Sequence, residues 1–130
     1  MLKVLVLVSG WIEVLFGVSA MLAPALVVAG IGGTETGAVT LALVRLLGAA
    51  TFGVGIGALA GRNHIEATST LVGAYGLGSY GILGLVIYNL LASPLLVLCA
   101  FTVGSPGIVA ASVLHTVIAL LFLIAIFGRR

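Results

Sequence analysis

Glu13, Arg45 and His115 are the side chains of this sequence best equipped for chemistry, and all three stand inside long apolar runs. A carboxyl can bind a proton or a cation. A guanidinium can hold an anion, and an imidazole can relay protons or ligate a metal. Each costs about 2.5–3.5 kcal/mol at the centre of a membrane-spanning helix, so each needs a partner or a task. Cys99 is the only cysteine, which excludes an intrachain disulfide, a CxxC redox pair and a cysteine metal site. Two histidines and three glutamates, with no aspartate, leave too few ligands for a protein-only metal cage. There is no nucleophile–base pair and no pair of carboxylates at a shared depth, so no hydrolase or transferase signature is present.

The elements that position these residues follow from composition. Of 130 residues, 62% are hydrophobic and 6% are charged. A soluble domain carries roughly a quarter of its residues as charges, so lipid must be the solvent for most of this surface. A net charge of +2 without a basic run excludes nucleic acid as a partner; Arg129 and Arg130 read as a membrane-flanking anchor. The apolar runs predict four spanning helices at residues 3–22, 39–60, 68–91 and 107–127, forming a single transmembrane domain. The fold class is thus an all-α polytopic membrane protein, a four-transmembrane-helix bundle. Residues 1–23 mimic a signal peptide, but Glu13 interrupts the apolar region and the run is long enough to span.

Lys3, Arg62 and Arg129–Arg130 fall on one side of such a bundle, and the opposite connections carry only Glu35. The positive-inside rule then places both termini in the cytoplasm, in a membrane expected to be the prokaryotic cytoplasmic membrane. The two outer connections look alike. Each opens with proline (Pro24, Pro94), continues apolar and turns glycine-rich, and each apolar piece is expected to lie at the interface or against the bundle. A shift of 70 residues places Ser9 on Ser79, Pro24 on Pro94, Gly37 on Gly107, Phe52 on Phe122 and Arg45 on His115. That pattern hints at two parallel hairpin repeats.

Small residues at every fourth position let helices approach closely in lipid. Arg45, Ala49, Gly53, Gly57 and Gly61 form such a stripe. Ser9, Glu13, Gly17 and Ala20 form another, Gly73, Gly76, Tyr80 and Gly84 a third, and Ala111, His115 and Ala119 a fourth. Each stripe holds its helix's most polar side chain. The expectation is therefore a buried cluster of Glu13, Arg45, Tyr80 and His115, lined by Trp11, in the middle and outer-middle of the membrane. Glu13 and Arg45 read either as a structural ion pair or as the holders of a ligand's polar head. His115 reads either as an interhelical hydrogen bond or as an axial ligand to haem or chlorophyll, with Ala111 leaving room for a macrocycle. Trp11 is packing or a pocket wall, Cys99 a small apolar filler, and Tyr88 with Asn89 an interfacial anchor. The run Gly53–Gly57 follows no strand and fits helix packing, not a nucleotide loop.

With Glu13 in GWIEVLFG and Arg45 in LVRLLGAATFGVGIGALAGR, the chain resembles DoxX-like small membrane proteins. The resemblance implies a four-helix bundle with an internal pocket for a lipid-soluble molecule, in proteins that sometimes accompany redox or respiratory enzymes. The chain is also similar to small multidrug-resistance transporters in length, helix number and a glutamate in mid-helix one. A buried Arg45 beside Glu13 departs from that pattern, because it would compete with a cationic substrate. The functional expectation is a protein that binds a lipophilic molecule (a quinone or a lipid) or serves a larger membrane complex as an accessory subunit. The alternatives are a small proton-coupled transporter using Glu13 and a pigment or haem subunit liganded through His115. Partners are membrane lipids and other subunits, or a second copy through the Ala49/Gly53/Gly57/Gly61 stripe.

Overall fold

The computed structural model describes residues 2–62 and 77–127. Readings that fall on Gly73, Gly76 and Arg129–Arg130 lie outside them. Among the described residues five helices follow one another: α1 (Leu2–Leu22), α2 (Pro24–Gly30), α3 (Ala38–Gly61), α4 (Leu77–Val103) and α5 (Pro106–Phe127). Four of them are long and apolar enough to cross a membrane, and α2 is a short helix of seven residues. Leucine, valine and isoleucine side chains are exposed along the outside of all four, a surface that lipid can solvate.

The bundle is built as two hairpins. In the first, α1 lies tightly against α3; α3 then packs on α4, and α4 on α5, while α1 and α5 touch only sparsely. The closeness of α1 and α3 rests on glycine. A Cβ added to Gly17 would lie 2.7 Å from the Gly48 carbonyl oxygen, and one added to Gly55 would lie 2.6 Å from that of Gly10. The two glycines on each helix are seven residues apart, the spacing of a left-handed seam.

This seam corrects the stripe expected on α3. Steps of four residues turn the helix by about 400°, so each step drifts by about 40° and four steps drift by about 160°. Arg45, Ala49 and Gly53 therefore face outward and are exposed, whereas Gly57 and Gly61 come round to the interior. Nothing lies within 4 Å of a Cβ added to Gly53, while Gly57 meets Gly81 of α4. The inward face is Gly48, Thr51, Gly55 and Ala58.

The hairpin repeats differ in their connections. Pro24 opens α2 as its first residue, which leaves no donor unpaired. Pro94 sits inside α4, which continues through it to Val103. A proline in the interior forfeits one backbone bond, a loss that a spanning helix packed among others tolerates. Helix α5 starts at Pro106, with Ser105 accepting a hydrogen bond from the Ile108 amide at 3.2 Å. The Ser105 hydroxyl also donates to the Ile31 carbonyl, and Gly107 lies against the Gly30 carbonyl. The two connections thus close on each other at one end of the bundle, the far end.

At the near end, where α1 begins and α5 finishes, all four spans contribute to one apolar plug. Leu5 and Val6, Ala58, Leu85 and Val86, and Ile118 and Phe122 are buried together there. Lys3 and Arg62 are at this end, and the Arg62 guanidinium turns back onto the Leu59 carbonyl at 2.6 Å.

Candidate functional site

Directly beyond the plug, the interior becomes polar. Ser9, Glu13 and Asn89 are all buried, and Glu13 is only 1% exposed. At a rise of 1.5 Å per residue, Glu13 stands about 16 Å along a helix of about 31 Å, and Asn89 about 18 Å along α4. Both lie at mid-membrane depth. His115 joins them from about 13 Å along α5.

Asn89 is the hub. Its Nδ2 donates to the carbonyl of Leu85 at 2.9 Å and to Ser9 Oγ at 3.3 Å. Its Oδ1 lies 3.0 Å from His115 Nδ1. The Leu85 carbonyl can only accept, so it fixes which end of the amide is which. In the neutral imidazole, Nδ1 must then carry the proton, and Nε2 holds the lone pair. One asparagine thereby ties α1, α4 and α5 and sets the tautomer of the histidine.

Tyr88 is half-buried and spans the other side of the layer. Its ring meets that of His115 edge-on, with centroids 5.7 Å apart, and its hydroxyl hydrogen-bonds the Glu13 carboxyl. The second oxygen, Glu13 Oε1, is buried with no partner among the described residues. One turn further, Ser93 and Thr116 share a hydrogen bond of 2.9 Å between α4 and α5.

The cluster differs from the one read from sequence. Glu13 and His115 are in it; Arg45, Tyr80 and Trp11 are not. Arg45 is exposed on α3 and stands about 10 Å from the helix's far end, close enough for a long side chain to extend toward the head groups. The ion pair of Glu13 with Arg45 is not formed. Tyr80 is 62% exposed near the start of α4. Helix α4 runs on past residue 91, the end expected for the third span, to Val103. That extension moves Tyr88 and Asn89 from an expected anchor position into the interior of the helix. Trp11 is 51% exposed on the outer face of α1, with Val4, Leu7 and Leu15. Cys99 is exposed on α4 and fills no gap.

Asn89, Tyr88, Ser93 and Thr116 were not singled out from sequence as site residues. The available signal was a buried-depth asparagine in an apolar run, hidden by ending the third span too early at Pro94.

Among the described residues there is no group of three histidine, cysteine or acidic side chains that could hold a metal ion. His115 Nε2 could supply a single axial bond, with Ala111 half-buried one turn before it. What the layer offers chemically is a carboxyl and an imidazole, each presenting an acceptor, linked through a phenol and an amide. No family model matches the sequence, and no curated protein or solved structure is significantly similar to it.

Proposed function

We propose that this small integral membrane protein binds a lipid-soluble molecule whose polar head reaches the Glu13–Tyr88–Asn89–His115 layer through the seam between α1 and α5. The observation that carries this reading is Glu13 Oε1, buried at mid-membrane without a partner. A polar atom left unsatisfied in an apolar interior costs about 1–3 kcal/mol, more for a charged group. Such a cost is retained where a ligand or ion uses the group. The seam supports lateral entry because α1 and α5 touch only sparsely, whereas the near end is plugged and the two connections meet at the far end through Ser105 and Ile31. The reading agrees with what the resemblance to DoxX-like proteins implies, and an accessory role in a larger complex fits the same site. Lys3 and Arg62 at the near end support a cytoplasmic near end.

The test is native mass spectrometry and an absorption spectrum of protein extracted in mild detergent. The expected result is a bound molecule of defined mass that is lost in Glu13→Ala and His115→Ala and kept in Arg45→Gln. A ligand-free wild type, or a ligand that survives both site changes, overturns the proposal.

A second reading, proton-coupled transport through Glu13, gains from the position of Arg45. With the guanidinium outside the cluster, Arg45 does not compete with a proton or a cationic substrate at the carboxyl. Glu13→Gln in proteoliposomes is then expected to abolish substrate-driven proton movement, and unchanged movement rules the reading out.

A further inference from the structure

The hydrogen-bond pattern of the layer says more about the ligand than its lipid solubility, given the binding reading above. Every donor of Asn89 is used, on Leu85 and Ser9. The Tyr88 hydroxyl is used on Glu13. The proton of His115 Nδ1 is used on Asn89. The hydroxyls of Ser9, Ser93 and Thr116 can turn their own protons to helix carbonyls one turn back, as serine and threonine do within helices. Among the described residues one buried polar atom is left without a partner, Glu13 Oε1, and the partly buried His115 keeps its Nε2 lone pair; the lone pair accepts, and so does Oε1 when the carboxyl is ionised. Tyr88 touches both of their side chains, so the two groups flank one phenol.

We infer that the site takes a head group that donates hydrogen bonds, an O–H or N–H, and discriminates against a head group that only accepts. A lipophilic phenol, alcohol or amine fits. The matching ether or ketone would place its own lone pairs against Glu13 Oε1 and His115 Nε2. A buried polar group facing the wrong partner loses about a factor of ten or more in affinity.

The experiment uses the full-length protein in lipid nanodiscs and three probes of equal chain length: 4-dodecylphenol, 4-dodecylanisole and dodecylammonium. Binding is read by native mass spectrometry against empty nanodiscs. The phenol, the ammonium or both are expected to bind at least about tenfold tighter than the anisole. Phenol alone identifies a neutral hydroxyl ligand; ammonium alone identifies a cationic one and joins the site to the transport reading. In Glu13→Gln, whose amide can present a donor, the preference is expected to shrink. Equal binding of phenol and anisole overturns the donor inference and leaves the binding reading standing. Partition into nanodiscs with no excess binding of any probe overturns the binding reading itself. The wild-type ratio decides the matter even if the Glu13 variant fails to fold.

Discussion

Asn89 Oδ1 and His115 Nδ1 meet at 3.0 Å, and because the Leu85 carbonyl pins the other end of the amide, this contact dictates which imidazole nitrogen carries the proton. Ring-nitrogen NMR of protein labelled at histidine, in a His64→Gln background, is expected to show a donor-type Nδ1 and a lone-pair Nε2 for neutral His115. Asn89→Leu is expected to release that preference and give mixed tautomers. A wild-type ring protonated at Nε2 sinks the assignment.

Asn89→Leu also breaks the link between Ser9 and His115. Stability measured by unfolding in mixed micelles is expected to fall by about 1–3 kcal/mol, since buried partners are left unsatisfied. Ser9→Ala removes only one of Asn89's two acceptors, and a smaller loss of about 0.5–1.5 kcal/mol is expected.

Glu13 and Arg45 are not paired, so their substitutions are expected to act independently. A double-mutant cycle of Glu13→Gln and Arg45→Gln should give a coupling energy within about 0.5 kcal/mol of zero. A coupling of several kcal/mol would restore the ion pair and refute the placement of Arg45 on the outer face of α3.

Glycine tolerance separates the two faces of α3. Gly48→Leu drives a side chain into the backbone of α1 around Gly17 and Met21, and thermal stability is expected to fall by the equivalent of about 1–3 kcal/mol or the bundle to fail to assemble. Gly53→Leu meets open space and is expected to be neutral in the isolated protein. A destabilising Gly53→Leu with a harmless Gly48→Leu would reverse the orientation of the helix.

Ser105→Ala removes the cap of α5 and the bond to the Ile31 carbonyl together. A loss of about 0.5–2 kcal/mol is expected, with faster amide hydrogen exchange confined to residues 107–109 and to the end of α2. Uniform exchange across the chain would mean that the two connections do not hold each other.

Four apolar spans and the inward face of α1 were legible in the sequence, because length and hydropathy decide what crosses a bilayer; the second outer connection was not, since the apolar stretch after Pro94 continues α4. The face of α3 was not. Arg45, Ala49 and Gly53 share an i+4 spacing with Gly57 and Gly61, but the drift of that spacing carries the two ends of the stripe to opposite sides of the helix. The depth of α4 was misjudged for another reason: Pro94 reads locally as a stop, and only the packed neighbours of α4 let the helix run on. Ending the span before Pro94 made Asn89 peripheral, whereas it is buried in the interior of α4. Glu13 and His115 were recoverable because a single charge or imidazole in the middle of a long apolar run is informative whatever the register.

The apolar plug of Leu5, Val6, Leu85 and Phe122 acts as an insulator on one side of the polar layer. Dry hydrocarbon conducts neither ions nor water, so a proton or charge held at Glu13 or His115 has no exit through the near end. Traffic with the layer, in either direction, is thereby one-sided.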